Sequence, residues 1–350
     1  MQKLNKRQNL ILNYIQQQHQ SVKRIDIEDY ISKIDENTSK ITILRDLDKL
    51  ITNNLIQKFG TAKNTYYKTT NKNEILTKYN VDEYFKIEQD KRLIKYPNFN
   101  FEVFEKLNNI FSDKEKVSIQ ETNNIFLNKI KNISSTLLKK EYERLLIELS
   151  WKSSQIEGNT YSLLDTEALI KNNIPAKGHS KEEATMILNH KKAIEFIFEN
   201  KDYFKSITLK NLEELHSLLT LDLEVNKGLR KTPVGIVGTN YKPLDNNLQI
   251  KEAILKLIEK INSTQNVIEK ALVTVIMISY IQPFEDGNKR TGRILANAIL
   301  YANDYCPLSY RSIDEQEYKK AVILFYENNS LEYFKELFIN QFNFAVDKYF

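Results

Sequence analysis

The residues best able to do chemistry lie in one short stretch that runs from Gln282 to Arg293. The pattern predicts a tight loop followed by a helix that begins at Asn288. Within the loop, Phe284 is an apolar anchor, and Gly287 leaves room for the backbone to approach a ligand closely. Backbone amides exposed at a helix N-terminus, with cations beside them, form a site for an anion. The cations in the first turns of this helix are Lys289, Arg290 and Arg293.

Asp286 places a carboxylate next to this anion site. In proteins Mg²⁺ is usually bound by one or two carboxylates together with the phosphates of a substrate. We therefore expect the stretch to bind a phosphate-bearing ligand, with Asp286 as the Mg²⁺ ligand.

Length and composition indicate a globular and mainly α-helical protein. The chain has 350 residues, 41% of them hydrophobic, which is enough for two or three domains with their own cores. Only 8 Gly and 6 Pro interrupt long runs rich in Leu, Ile, Lys and Glu, a pattern that favours helix.

The same sequence predicts a soluble, cytoplasmic protein. Its single cysteine, Cys306, excludes an intramolecular disulfide and fits a reducing compartment. The first residues do not resemble a signal peptide, and the longest apolar run, 271–281, is too short to span a bilayer. We expect no membrane association, and the sequence leaves open whether the chain forms a homodimer.

The net charge of +5 is confined to the first 70 residues. This segment holds 12 Lys/Arg and 7 Asp/Glu, whereas the remaining 280 residues hold 39 of each. Helical spacing of apolar residues predicts helices over 4–19, 25–34 and 39–54, the last capped by Ser39 or Thr38. Two β-rich runs, at 55–59 and 65–69, then predict a hairpin.

This order resembles a winged helix-turn-helix domain over residues 1–70, with three helices and a β-hairpin wing. In that family the third helix enters the major groove of DNA and the wing touches the backbone. The resemblance implies DNA contacts from Lys40, Thr42, Arg45, Lys49, Lys58 and Lys63. Docking of a protein and a role as a spacer stay open, because Asp46 and Asp48 dilute the positive face of the third helix.

The rest of the chain reads as a connector followed by helices. Residues 71–108 are charged and weakly patterned, and they are predicted to link the first domain to the second. Residues 109–205 and 206–350 then form the N-terminal helices and the core of a helical domain. A helix at 266–280 is apolar nearly all round, so we expect it to be the buried central helix, paired with one at 288–303. A further helix is predicted from residue 101 to 112.

One β-like feature interrupts this helical region, from Thr232 to Pro243. Its alternating Val and Ile residues and its Gly-Thr-Asn turn predict a hairpin.

The stretch that begins at Gln282 resembles the signature of the Fic (Fido) family, His-Pro-Phe-x-Asp-Gly-Asn-Gly-Arg-x-x-Arg. Seven of its nine fixed positions match. Gln282 stands where the family has its catalytic His, and Lys289 stands where it has a Gly, as in the related Doc proteins. Residues 153–158 are similar to the family's inhibitory helix motif, Ser/Thr-x-x-x-Glu-Gly/Asn, through Ser153, Glu157 and Gly158. The resemblance covers roughly residues 109–350.

The resemblance implies an all-helical Fic-like domain that moves AMP from ATP to a hydroxyl of a protein substrate. ATP phosphates would lie on the loop amides, and Asp286 would hold Mg²⁺. The hairpin would be a flap that holds the target by strand pairing. In the inhibited state Glu157 would form a bidentate ion pair with Arg293 in place of the γ-phosphate of ATP. The implied nucleotide-binding residues are Gly287, Asn288, Lys289, Arg290 and Arg293, the catalytic positions are Gln282, Phe284 and Arg293, and the docking positions are Val234, Ile236, Val237, Gly238, Thr239 and Tyr241.

Gln282 determines how much activity we expect. Removing a proton from the target hydroxyl suits a neutral imidazole, whereas a Gln amide has no protonation equilibrium near neutral pH. General-base assistance contributes roughly 10²–10⁴-fold, so its loss predicts impaired catalysis. His216 shares helical spacing with Leu212, Leu215 and Leu219, and is expected to be a packed helix residue and not a displaced base.

Three functions therefore remain open, the third being a purely interacting protein whose flap and winged helix both bind partners. The first is a restrained Fic-type adenylyltransferase or, because Lys289 crowds the place of the α- and β-phosphates, a Doc-like phosphotransferase. The alternative is an inactive Fic pseudoenzyme that acts as a ligand-responsive regulator and binds DNA through the winged helix.

Overall fold

The structure is a computed structural model that describes residues 4–18, 21–36, 38–53, 55–61, 64–70 and 73–350. Lys63, one of the predicted DNA contacts, lies outside these residues. The chain divides into two compact units, Met1–Arg92 with Ser330–Tyr333, and Leu93–Asn329 with Phe334–Phe350. Helix dominates the described residues, which confirms the mainly α fold class.

The first unit contains a small antiparallel sheet and four helices within its described residues. The strands lie in the order β1–β3–β2, with Val22 paired to Tyr67 and Phe59 paired to Tyr66. The elements are α1 Lys6–Gln17, β1 Val22–Lys23, α2 Arg24–Ile34, α3 Lys40–Thr52, β2 Ile56–Phe59, β3 Tyr66–Thr69 and α4 Val81–Lys86. Three helices and a hairpin thus occur where the sequence predicts them, while their assignment as a winged helix stays a prediction.

The three N-terminal helices pack on a shared apolar core. Its buried residues include Ile11, Ile15, Ile27, Ile31, Ile43, Leu47, Leu50, Ile56 and Tyr67. Ser39 caps α3 by accepting a hydrogen bond from Thr42 N, as predicted. The expectation that Asp46 weakens the positive face of α3 is wrong. Asp46 is buried instead and accepts hydrogen bonds from Arg7 at 2.5 Å and Gln8 at 2.8 Å.

The second unit is built from helices. They are α5 Val103–Lys106, α6 Asp113–Asn132, α7 Ser135–Ile156, α8 Leu163–Asn172, α9 Lys181–Glu199, α10 Leu209–Leu219, α11 Asn247–Ser263, α12 Val267–Ile281, α13 Asn288–Ala302, α14 Glu315–Asn328 and α15 Glu332–Lys348. The helix predicted from 101 to 112 is wrong beyond the single turn of α5, because the chain leaves helical geometry before Asn109, which has φ 51°. Among the described residues, no helix has both the length and the apolar character needed to cross a membrane.

Helix α12 is the buried centre of this unit, as its sequence predicts. Nearly every side chain from Ile268 to Ile281 is buried, and α12 packs along α13 and also against α11 and α14. The contact with α13 is close at Gly292, where a Cβ would lie 3.2 Å from Val275 O and 3.5 Å from Ile278 Cβ. The absence of a side chain at Gly292 therefore fixes how closely the two helices that frame residues 282–287 approach each other.

The flap segment, residues 232–243, differs from the predicted hairpin in its strands. It turns at Val237 and Gly238 as expected, but within it no strand pairing is found. Pro233 and Pro243 lack an N–H to donate. The second arm is bonded inward, since Thr239 donates to Glu327 at 2.7 Å and Tyr241 to the carbonyl of Tyr280 at 2.8 Å.

Replacing Gly292 with valine should push α12 and α13 apart. Overpacking of a close helix contact costs about 1–3 kcal/mol, so Gly292→Val should lower the free energy of unfolding by that amount in urea titrations. Lys251→Val on the exposed face of α11 is the control, because it adds only a helix-propensity cost below about 1 kcal/mol. Equal losses in the two variants would contradict the close-packing argument.

Candidate functional site

The loop between α12 and α13 is held in one conformation by backbone geometry. Gln282 ends α12 in the left-handed region, with φ 51° and ψ 61°, and its N–H bonds the carbonyl of Ile278. Gly287 precedes α13 with φ 77°, and a Cβ there would lie 3.2 Å from Thr220 Cγ2. Any side chain at Gly287 would be both strained and crowded.

Two amide side chains close this loop from within. Asn288 accepts from Phe284 N at 2.8 Å and donates to the carbonyl of Phe284 at 2.8 Å and to Gln282 Oε1 at 2.9 Å. Gln282 in turn donates through Nε2 to the carbonyl of Ser279 at 2.6 Å. The Asn288 side chain thus bonds the loop, its contact with phosphate stays a prediction, and the Gln282 amide is hydrogen-bonded at both ends.

Asp286 and Arg290 form the charged rim of the helix start. Arg290 Nη2 lies 2.7 Å from Asp286 Oδ2, and the Asp286 side chain is 68% exposed. The guanidinium of Arg290 is buried, and its Nη1 has no hydrogen-bond partner in the described protein. An unpaired buried donor is rare in native structures, and here it lies at a helix N-terminus that favours anions.

A cavity of about 590 Å³ brings the predicted site elements together. Its walls come from the α12–α13 loop, the flap segment, the end of α7 and one face of α14. The lining residues predicted from sequence are Glu157, Gly158, Val234, Ile236, Val237, Gly238, Gln282, Asp286, Gly287, Asn288, Lys289 and Arg290. Thr239 and Tyr241, predicted to dock a target, are buried and lie outside this lining, because their hydroxyls bond the protein core.

Arg293 lies beneath the cavity, fully buried, and is bonded on several sides. Its Nε donates to Ser153 Oγ at 3.0 Å, its Nη2 to the carbonyl of Ser153 at 2.8 Å, and its Nη1 to Tyr318 Oη at 3.4 Å. Glu157 Oε1 lies 2.9 Å from Nη2. The predicted Arg293–Glu157 pair therefore forms, but the predicted bidentate geometry is wrong, because one carboxylate oxygen, Oε1, contacts the guanidinium.

The other oxygen of Glu157 pairs with Lys289. Lys289 Nζ lies 3.2 Å from Glu157 Oε2, a contact that the sequence did not predict. Burial alone would raise the pKa of the Glu157 carboxyl, but the positive charges of Arg293 and Lys289 outweigh it and lower that pKa to about 2. Glu157 is thus a carboxylate at any pH near neutrality.

His190, which sequence reasoning did not place here, orients the Ser153 hydroxyl. Its Nδ1 lies 2.8 Å from the carbonyl of Met186, which only accepts, so Nδ1 carries the proton. Nε2, 2.9 Å from Ser153 Oγ, therefore accepts from that hydroxyl and leaves its lone pairs for Arg293. Burial lowers the pKa of His190 to about 3, so the imidazole is neutral.

His216 supports the loop from below. Its ring stacks on Phe284 with 3.7 Å between centroids, and its Nε2 donates to the carbonyl of Asp286 at 3.0 Å. Its Nδ1 is buried without a hydrogen-bond partner, and burial lowers the pKa of His216 to about 4. Helical spacing placed His216 on the inner face of α10, but nothing in that pattern indicated contact with the loop.

Arg230 ties the loop to the start of the flap segment. It is buried and donates through Nε to the carbonyl of Gln282 at 2.6 Å, through Nη1 to that of Thr232 at 2.7 Å, and through Nη2 to that of Leu244. No sequence pattern indicates this role, because every one of these acceptors is a backbone carbonyl.

Of the carboxylates that line the cavity, Glu157 is paired with Arg293 and Lys289 and Glu285 accepts from Asn226, so Asp286 is the candidate Mg²⁺ ligand. Among the described residues, no three His, Cys, Asp or Glu side chains come together as a metal site. Asp286, exposed at the cavity rim, fits an ion held mainly by ligand phosphates and water, which is the usual coordination of Mg²⁺ at nucleotide sites.

Residues 206–300, which run from just before α10 into α13, match the family model described as "Fic/DOC family". The chain contains a Fic/DOC domain. The match includes the flap segment, the loop and all of its cationic residues, whereas Glu157 lies upstream of it.

Curated relatives of the Fic/DOC domain carry the name "Protein adenylyltransferase Fic". The protein from Culex quinquefasciatus is 30% identical over 191 residues, which cover 52% of this chain and 37% of the relative. That from Nematostella vectensis is 26% identical over 185 residues, with 52% and 43% covered. The chain thus spans less than half the length of these relatives.

Solved structures share the fold of about two thirds of the chain. "Fic-1 (aa134 - 508) from C. elegans" aligns with a TM-score of 0.58 and 21% identity, over 67% of this chain and 70% of that one. A Fic family protein from Desulfovibrio desulfuricans G20 aligns with a TM-score of 0.56 and 18% identity, over 68% and 74%. At these identities the likeness establishes the fold.

Stability should depend on the protonation of His216. An unfolded His has a pKa near 6.5, whereas the folded His216 has a pKa of about 4. Between these values the unfolded chain binds the extra proton, so this group lowers the free energy of unfolding by up to about 1.4 kcal/mol per pH unit as pH falls. His216→Phe, which keeps the stack on Phe284, should give a shallower decline between pH 6.5 and 4.5 in urea titrations. Parallel curves for wild type and variant would contradict the assignment.

Proposed function

We propose that the Fic/DOC domain binds ATP with Mg²⁺ in the cavity and is a protein adenylyltransferase of low intrinsic turnover. The observation that carries this proposal is the buried Arg290, whose unpaired Nη1 lies at the N-terminus of α13. The phosphates would lie on the amides of Gly287, Asn288 and Lys289, and Asp286 would hold the Mg²⁺ that neutralises their charge. The adenylyltransferase names of the curated relatives support the choice of ATP.

A protein substrate would lie along the flap segment. Its tip is open to solvent, with the Val237 side chain 97% exposed, and Val234 and Ile236 line the cavity. Because residues 233–236 form no strand ladder, an extended peptide would pair with the backbone of this arm, which is recognition by β-augmentation. Such a peptide would present a Ser, Thr or Tyr hydroxyl over the loop.

Adenylyl transfer requires a proton acceptor that Gln282 does not supply. The target oxygen bonds the α-phosphorus, the bond to the bridging oxygen breaks, pyrophosphate leaves, and the hydroxyl proton must pass to a base. The Gln282 amide has no accessible protonation equilibrium and is already bonded to Ser279 and Asn288. His216 is no substitute, since its Nε2–H is bonded to Asp286 O beneath the loop. We therefore expect binding without the usual base assistance, and slow transfer.

Glu157 restrains the same site in this proposal. A carboxylate at 2.9 Å from Arg293 and 3.2 Å from Lys289 occupies cations that would otherwise face the terminal phosphate of a bound nucleotide. Binding in a productive pose then requires that Glu157 leave them.

Label transfer tests the proposal directly. With α-³²P-ATP and Mg²⁺, Glu157→Gly should label itself or lysate proteins weakly, and Glu157→Gly with Gln282→His should label them roughly 10²-fold more, within the range that general bases contribute. A parallel series with γ-³²P-ATP separates AMP transfer from phosphorylation. Mg·ATP should also raise the melting temperature of wild type but not of Arg290→Ala. Absence of that shift in wild type and in Glu157→Gly would contradict nucleotide binding.

A second candidate function is DNA binding by the first unit, which would make the chain a ligand-responsive regulator. The burial of Asp46 favours it, because this carboxylate is turned away from the outer face of α3. Arg45, Lys49 and Lys58 are exposed, Thr42 is half-buried, and Lys40 is 3.4 Å from Glu28, which partly offsets its charge.

Salt dependence tests this second function. If α3 contacts phosphates, Arg45→Ala with Lys49→Ala should weaken binding to a duplex at least tenfold and lower the slope of log K against log salt by roughly 1–2. Lys256→Ala, an exposed lysine on α11, is the matched control and should change neither. An unaltered slope in the double variant would exclude α3 as the DNA-contacting helix.

A further inference from the structure

The two cations that hold Glu157 differ in how they are themselves held. Arg293 is fully buried and has Ser153 and Tyr318 as further partners. Lys289 has a side chain that is 28% exposed, and its hydrogen bond is to Glu157. Arg293 therefore keeps its position whether or not Glu157 is present, whereas Lys289 and Glu157 depend on each other.

The hydrogen bonds of the Glu157 carboxylate also distinguish Lys289 from Arg293. Glu157 Oε1 lies 2.9 Å from Arg293 Nη2 but has no aligned hydrogen bond, while Nη2 donates to the carbonyl of Ser153. The aligned donor to Glu157 is Lys289 Nζ, at 3.2 Å from Oε2. Charge attracts Glu157 to Arg293, while Lys289 fixes where the carboxylate lies.

Glu157 also lies at the end of α7, next to a glycine that has no side chain to pack against it. This glycine, Gly158, has φ 99° and open space around its Cα. The helix therefore does not hold the Glu157 side chain from its C-terminal side, so its placement depends on side-chain contacts.

We propose that Lys289 is the positioning residue of Glu157: it holds the carboxylate over Arg293 and so sets how strongly the cavity is closed to an anionic ligand. The inference rests on the proposed nucleotide site. A ligand that opens the cavity must return negative charge to both cations, which a nucleoside triphosphate can do and an uncharged nucleoside cannot. The residue that departs from the signature glycine thus acts in regulation of the site.

A double-mutant cycle tests this coupling. The Kd of Mg·ATP would be measured by calorimetry for wild type, Lys289→Met, Glu157→Gln and the combined variant. If Lys289 holds Glu157 in place, the effect of Lys289→Met on affinity should be at least fivefold more favourable with Glu157 present than with Glu157→Gln. Equal effects within twofold in the two backgrounds would overturn the proposal. Lys289→Arg should behave as wild type, and Lys171→Met, which breaks the exposed Lys171–Glu167 pair on α8, should change nothing.

Hydrogen exchange without ligand provides an independent readout. The amides of Glu157, Gly158 and Asn159 bond the carbonyls of Ser154 and Gln155, so their exchange reports opening of this segment. Lys289→Met and Glu157→Gln should each speed that exchange, and the combined variant should be no faster than the faster single variant. Unchanged exchange in Lys289→Met would overturn the proposal. If no variant binds Mg·ATP, the proposed function fails, and the exchange result still decides the role of Lys289.

Discussion

The buried guanidinium of Arg293 is the constraint around which the cavity is organised. A fully buried cation is costly unless it is paired and its donors are bonded. Here the Ser153 backbone and hydroxyl, the Tyr318 hydroxyl and the Glu157 carboxylate supply those partners, and they come from α7 and α14. The need to satisfy one side chain on α13 therefore fixes three helices relative to one another. Through Ser153 this network also reaches His190, whose neutral Nε2 accepts from the Ser153 hydroxyl.

The loop above Arg293 is rigid for a different reason, since its polar groups are satisfied internally. The side chains of Asn288 and Gln282 form hydrogen bonds within the loop. Arg230 donates to the carbonyl of Gln282, and His216 donates to that of Asp286. A site whose dipoles are already in place needs little reorganisation when an anion arrives. The Gln282 side chain takes part in this network through hydrogen bonds, so the loop conformation is maintained with a residue that cannot accept a proton near neutral pH.

The sequence predicted those features that depend on local pattern. The bounds of α12 and α13, the burial of α12 and the meeting of Glu157 with Arg293 all followed from periodicity or from the family signature. The features it missed depend on partners distant in sequence. The sequence pattern places Asp46 on the solvent side of α3, whereas in the fold it bonds Arg7. Arg230 donates to backbone carbonyls, which have no sequence signature. The flap segment lacks the predicted strands because Thr239 and Tyr241 bond inward. The contact of Lys289 with Glu157 spans 132 positions and could not be inferred from either motif alone.

In the proposed function the departures from the signature act on separate steps. Gln282 would affect transfer, because the hydroxyl proton lacks an acceptor. Lys289 and Glu157 would affect access, because a bound carboxylate must leave before a polyphosphate can take its place. When the closed state is favoured over the open state by a large ratio, the apparent Kd of a ligand that binds the open state rises by about that ratio. By reciprocity, a ligand that engages both cations also releases the end of α7. Ligand occupancy and the position of α7 are then one equilibrium, which can operate whether or not transfer follows. A site of this kind can report the presence of a nucleotide even with a slow chemical step.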